Sequence, residues 1–123
     1  LDKEWGGFFP PTVISGVNRS MACWNEEIFG PLVSIAEFDD DNDALLKAND
    51  TEYGLAAYVF TQDAARAERF VDALHFQHVA WNTGTGPAPE APFGGMKQSG
   101  YGREGGIEGL FEFVEVKTSP MGV

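Results

Sequence analysis

Two segments of the chain bring together residue types that could do chemistry. The first is Glu26-Glu27-Ile28-Phe29-Gly30-Pro31. Two adjacent carboxylates cannot both enter an apolar core, so at least one must face solvent or a ligand. A carboxylate that accepts hydrogen bonds from a vicinal diol gains about 1.5–3 kcal/mol per charge-assisted bond before competing water is counted. Phe29 beside it offers a flat apolar wall. The simpler reading of the same residues is a turn, with Gly30-Pro31 bending the chain into the apolar segment that follows.

The second segment runs from Ala91 to Gly106 and includes Phe93-Gly94-Gly95-Met96-Lys97-Gln98-Ser99-Gly100. Its glycines permit positive φ and close backbone approach, which describes a shaped loop. It is not a P-loop, because Met96 precedes Lys97 and Gln98 follows it where contiguous Gly-Lys-Ser/Thr is required. Gly84-Thr85-Gly86 is not a dinucleotide fingerprint either. Pro87 and Pro89 stop the helix whose N-terminus would have to hold a pyrophosphate.

Other reactive residue types have plainer accounts. His75 and His78 fall near a helix end, with His78 expected beyond its terminus, and the C-terminal dipole favours histidine there over a metal role. Cys23 sits between Ala22 and Trp24 with no neighbouring Lys or His to lower its pKa, so it reads as a packed thiol. Asp39, Asp40, Asp41 and Asp43 read as a solvated loop entering a helix N-terminus. An EF-hand would need a glycine and a closing Glu where Ala44, Leu45 and Leu46 stand. Trp5, Phe8, Phe9, Trp24 and Trp81 are expected in a core or an interface.

These segments must be held by a scaffold, and its period is legible. Leu32 to Phe38 reads as a strand and Asp41 to Asn49 as a short helix with acidic residues in its first turn. The apolar run Leu55 to Phe60 is short enough for a strand buried on both faces. Thr61 or Asp63 can cap a helix in which Ala67, Phe70, Val71 and Leu74 recur at i, i+3, i+4 and i+7. Val79 to Asn82 forms another strand. A last helix is expected over Ile107, Leu110, Phe111 and Val114, and the tail from Glu115 could be an extended edge strand. Strands alternating with helices through short links mean parallel pairing, hence an α/β fold with an open, mostly parallel sheet and crossover helices.

With 123 residues and 43% apolar content, the chain has the size of one domain and can bury roughly two-thirds of its unfolded surface. Nineteen acidic against eight basic residues give a net charge of −11, which argues against nucleic acid and anionic membrane as partners. No apolar run approaches the ~20 residues of a membrane span. A single cysteine excludes an internal disulfide and fits a reducing compartment such as the cytoplasm. Leu1-Asp2-Lys3-Glu4-Trp5 carries neither an initiator Met nor a signal pattern, so the chain is expected to continue upstream.

In order along the chain, six segments resemble the aldehyde dehydrogenase superfamily: Gly7 to Val13, Glu26 to Pro31, Ala48 to Ala57, Val79 to Asn82, Pro92 to Gly100 and Gly102 to Glu104. The resemblance implies the C-terminal part of the catalytic domain over residues 1–114, with an oligomerisation-strand-like tail at 115–123. It implies oxidation of an aldehyde by a cysteine thiolate, hydride transfer to NAD or NADP, and thioester hydrolysis with a glutamate as base. Carried over residue by residue, Glu27 matches the glutamate that binds the nicotinamide-side ribose, and Phe29 the ring that helps place the nicotinamide. Phe93 matches an aromatic residue of the aldehyde tunnel, and the loop from Thr83 to Pro87 shapes the substrate end. Partners are then the aldehyde, the rest of the parent chain and further copies in a homo-oligomer.

The family's catalytic cysteine and its Glu-Leu-Gly-Gly base motif belong upstream of this stretch, and Cys23, four residues ahead of Glu27, is too close to be that nucleophile. The chain alone is therefore expected to be inactive. Asn49 to Tyr58, Gly100 to Gly105 and the tail from Lys117 resemble succinate-semialdehyde dehydrogenases. Pro87 stands where that subfamily carries a serine for the distal carboxylate, with Thr83 or Thr85 the candidates to replace it. The alternative is a stand-alone, non-catalytic module that keeps the fold for binding or assembly.

Overall fold

The computed structural model describes residues 7–122, so Trp5 and the last residue of the tail lie outside the described residues. The chain divides into two compact units, Leu1–Ala44 and Leu45–Val123. Each contains one pair of parallel strands, and the fold is α/β as expected.

In the first unit, β1 (Thr12–Ser15) precedes a single helical turn, α1 (Ala22–Asn25), and then β2 (Leu32–Ile35). β1 and β2 pair in parallel from Thr12↔Leu32 to Ser15↔Ile35. A bond from Thr12 N–H to Pro31 O at 2.8 Å and one from Val17 N–H to Ile35 O at 3.1 Å extend the pairing. β2 is shorter than the apolar pattern through Phe38 suggests. The aspartate run then does what its position at a helix start predicts. Asp40 Oδ1 accepts the amides of Asn42 and Asp43 at 2.8 and 2.9 Å, and Asp43 Oδ2 accepts the amide of Asp39 at 3.0 Å. These bonds satisfy donors that a helix start leaves open. α2 spans Asp41–Asn49, the bounds the sequence implied.

The second unit is built on a strand–helix–strand repeat. β3 (Ala56–Val59) and β4 (His78–Trp81) pair in parallel in register Ala56↔His78 through Val59↔Trp81, joined by α3 (Ala64–Ala73). Asp63 caps α3, its side chain accepting the Arg66 amide at 3.1 Å. Ala67 is fully buried and Leu74 nearly so, and the small side chain at 67 allows close packing of helix on strands. Asn49 ties the end of α2 to the end of α3: its Nδ2 donates to Ala73 O at 2.9 Å and its Oδ1 accepts His75 N–H at 2.8 Å.

Three expectations are corrected. The Leu55–Phe60 run is not covered on both faces: Leu55, Tyr58 and Phe60 are 41%, 47% and 71% exposed. The last helix shrinks to one turn, α4 (Glu108–Phe111), because Ile107, Leu110, Phe111 and Val114 are all more than half exposed; a helix draws its stability from packing an apolar face, and here that face has no cover. Phe8, Phe9 and Trp81 are also exposed rather than core residues. Among the described residues only Val17, Ala67, Leu74 and Ala80 are buried apolar side chains. Apolar surface uncovered on this scale is the kind that marks an interaction face. Residues 115–122 take no regular secondary structure.

Candidate functional site

Glu26, Glu27 and Phe29 lie on the link between α1 and β2. Gly30 N–H bonds to Ile28 O at 3.0 Å and Leu32 N–H to Gly30 O at 2.8 Å, so the chain turns sharply at Gly30-Pro31 and then enters the strand. The turn and the chemical reading of this segment are compatible, since the side chains ahead of the turn are left exposed. Both glutamates are exposed, and the Phe29 ring is 92% exposed. An exposed carboxylate with two acceptor oxygens fits a ribose diol, and an exposed flat ring fits one face of a nicotinamide. The residues present therefore suit a nicotinamide dinucleotide.

Phe93 belongs to the second unit and is held far more firmly. Its N–H donates to Glu104 O and its carbonyl accepts Glu104 N–H, both at 2.7 Å, forming an isolated antiparallel bridge. The glycine-rich loop closes between these two residues. Arg103 organises the closure: its Nη1 donates to Gly95 O at 2.7 Å and Gly102 O at 2.8 Å, with Tyr101 O at 3.4 Å. A Cβ on Gly94 would collide with the Gly102 carbonyl, and one on Gly95 with Ser99, so glycine is required for these close approaches. The Ser99 hydroxyl accepts the Gly54 amide at 2.9 Å and fastens the loop to the entry of β3. Phe93 forms one wall of a cavity of about 780 Å³, with Arg103, Glu104, Leu110 and Phe113 among the others.

Thr83 and Thr85 follow β4 after Asn82. Their hydroxyls are 2.9 Å apart, and Thr83 Oγ1 also accepts the Thr85 amide at 3.1 Å. One hydroxyl proton is spent between them, which leaves the other free to donate outward.

His78 needs a correction. It lies beyond the helix terminus as expected, but it is no helix-end histidine: it opens β4, and its ring sits edge-on between Tyr58 and Phe93, with centroids 6.0 Å from each. Its Nε2 is buried without a hydrogen-bond partner. Cys23 is half-buried in α1, in keeping with a packed thiol. Among the described residues no three His, Cys, Asp or Glu side chains are grouped so as to hold a metal ion, and no helix is long and apolar enough to cross a membrane. Sequence reasoning passed over Gln77, whose amide grips the backbone on both sides of Phe93. The only available signal was a polar residue placed just ahead of an apolar run.

Each unit is a small α/β element of paired parallel strands, one with exposed Glu27 and Phe29 on the link before β2, the other with Phe93 framed by a glycine-rich loop. The family model described as "Aldehyde dehydrogenase family" matches residues 1–119, and the chain belongs to this family. It is 47% identical over 110 residues to a non-phosphorylating aspartate-semialdehyde dehydrogenase of Halomonas elongata, covering 89% of this chain and 22% of that protein. It is 46% identical over 115 residues to the mitochondrial succinate-semialdehyde dehydrogenase of Mus musculus, covering 94% of this chain and 22% of that one. Among solved structures, an oxidoreductase from Marinobacter aquaeolei superposes with a TM-score of 0.86 at 64% identity, covering 94% of this chain and 24% of the other. A betaine aldehyde dehydrogenase from Staphylococcus aureus, in complex with NAD+, gives a TM-score of 0.82 at 44% identity, with 89% and 22% covered. The chain thus spans less than a quarter of the length of these relatives.

Proposed function

We propose that this chain is the C-terminal part of the catalytic domain of an NAD(P)-dependent aldehyde dehydrogenase. In this reading it supplies a ribose clamp, a tunnel wall and an association edge to an active site whose nucleophile and base lie elsewhere in the protein. The observation that carries the reading is the match to the family over residues 1–119, with its motifs in family order. When bound, the nicotinamide dinucleotide would accept a hydride from the substrate. Glu27 would hold the ribose hydroxyls beside the nicotinamide, and Phe29 would shield one face of that ring. Phe93 would narrow the passage to the reacting carbon and exclude water from it. The uncovered apolar side chains of both units would pack against the rest of the parent chain, and the tail from Glu115 would join a neighbouring subunit's sheet as an edge strand.

For the substrate, relatives acting on semialdehydes make succinate semialdehyde the first choice. The Thr83–Thr85 hydroxyl pair has one donor to spare for a distal carboxylate. The test is to purify the complete gene product containing this chain and follow reduction of NAD+ and NADP+ with succinate semialdehyde, aspartate semialdehyde and betaine aldehyde. Aldehyde-dependent reduction by the complete protein, with no turnover by the 123 residues alone, is the expected result. A complete protein inert toward all three aldehydes would favour the non-catalytic module instead.

A further inference from the structure

We infer that Gln77 and His78 act together as positioning residues for Phe93, and thereby set the width of the aldehyde passage; this rests on the proposed role of Phe93 as a tunnel wall. Gln77 brackets Phe93 along the backbone. Its Nε2 donates to the carbonyl of Pro92 at 2.7 Å, and its Oε1 accepts the amide of Gly94 at 3.3 Å. The orientation of the side-chain amide is not arbitrary: one partner is a carbonyl and the other an N–H, so only one placement of its oxygen and nitrogen satisfies both. With the two bonds between Phe93 and Glu104, four hydrogen bonds fix three consecutive residues.

The ring is fixed separately. His78 meets Phe93 edge-on, with centroids 6.0 Å apart and planes at 71°, and meets Tyr58 edge-on at 6.0 Å and 66°. Tyr58 lies on β3, directly across from β4 in the ladder. A row Tyr58–His78–Phe93 therefore runs from the sheet to the loop. In a regular strand neighbouring side chains diverge; here Gln77 stands just ahead of the ladder, and both residues reach Phe93. Gln77 controls where the backbone carries the ring, and His78 controls which way the ring leans.

Phe93 otherwise sits in a loop rich in glycine, which by itself would let the ring wander. A pocket wall that shifts by about 1 Å can change turnover by about 100-fold, and one misfitted methylene in an apolar pocket changes discrimination by about 10-fold or more. The clamp should therefore act on selectivity between aldehydes and leave cofactor binding untouched.

The test uses the complete enzyme with Gln77→Met, which keeps the length and removes both bonds, and with Phe93→Ala as reference. The readout is the ratio of kcat/KM for a compact and a longer linear aldehyde, together with the KM for NAD(P)+. Gln77→Met is expected to shift the ratio by about 10-fold, in the same direction as Phe93→Ala, with cofactor KM unchanged. Mere destabilisation lowers kcat/KM for both aldehydes alike and leaves the ratio in place, so that pattern overturns the proposal. If Gln77→Met folds poorly, Gln77→Glu retains the acceptor for Gly94, loses the donor to Pro92, and must shift the ratio in the same direction. A Phe93→Ala variant with unaltered selectivity sinks the tunnel assignment and the clamp with it. Altered selectivity in Phe93→Ala with none in either Gln77 variant overturns the clamp alone.

Discussion

Asn82 pairs its side-chain amide with both backbone groups of Thr61: Oδ1 accepts the Thr61 N–H at 3.0 Å and Nδ2 donates to the Thr61 carbonyl at 2.8 Å. The side chain stands in for one more rung of the β3–β4 ladder, after the Asn82 N–H has bonded to Val59 O at 2.8 Å. Asn82 also has φ of 52°, a left-handed conformation that asparagine adopts more readily than most residues. This junction launches the loop carrying Thr83 and Thr85 from a fixed point. Asn82→Ala removes both bonds and adds backbone strain, and is expected to lower stability by about 1–2 kcal/mol, the exposure of the site limiting the loss. Asn82→Gly relieves the strain but not the lost bonds, and should fall between the two in denaturant unfolding. An alanine variant as stable as the parent contradicts this account.

Gly54 is the hub between the β3 entry and the glycine-rich loop. Its carbonyl accepts both Gln77 N–H at 3.2 Å and Met96 N–H at 3.1 Å, and its own N–H goes to Ser99 Oγ. A Cβ placed there would come within 2.9 Å of His75 O and 3.1 Å of Met96 Cβ. Gly54→Ala should destabilise the protein by about 1–3 kcal/mol through overpacking. Amide exchange should rise first at Met96 and Gly94. Faster exchange confined to α2 would argue against this hub.

How much of this was legible beforehand depended on whether the deciding interaction was local. α2 and a cap on α3 at Thr61 or Asp63 were readable, because a capping side chain and the amides it serves lie within four residues of each other. β3 and β4 were readable as apolar runs bounded by turn residues. β1 was missed: four residues with Pro10-Pro11 ahead give little pattern, and its pairing is supplied by β2 some twenty residues on. α4 was overestimated because Ile107, Leu110, Phe111 and Val114 have helical spacing, whereas the helix needs a surface to pack on. Glu27, Phe29 and Phe93 could be singled out as candidates from motif resemblance. The roles of Gln77, His78 and Arg103 could not, since each arises from loop segments meeting in space. His78 shows the limit most clearly: spacing from His75 suggested a helix end, and the ring contacts with Tyr58 and Phe93 define its surroundings.

The threonine pair offers a test of substrate class. If the free hydroxyl proton of the Thr83–Thr85 pair donates to a distal carboxylate, the double variant Thr83→Val/Thr85→Val removes that donor, whichever residue holds it, while preserving side-chain shape. The KM for succinate semialdehyde should then rise by about 10-fold, the equivalent of one hydrogen bond to a charged group, while an uncharged aldehyde of similar length is unaffected. Equal effects on both aldehydes would remove the pair from the recognition of the carboxylate.

Glu27 provides the most direct measurement of whether this chain contributes to a nicotinamide dinucleotide site. In the complete gene product, the KM for NAD(P)+ is compared between the parent and Glu27→Gln under aldehyde saturation. Replacing the carboxylate by an amide forfeits charge-assisted bonds of about 1.5–3 kcal/mol each, so the cofactor KM is predicted to rise by about 10-fold or more while the aldehyde KM stays the same. An unchanged cofactor KM in an otherwise active Glu27→Gln enzyme would contradict the assignment of this segment as the ribose clamp.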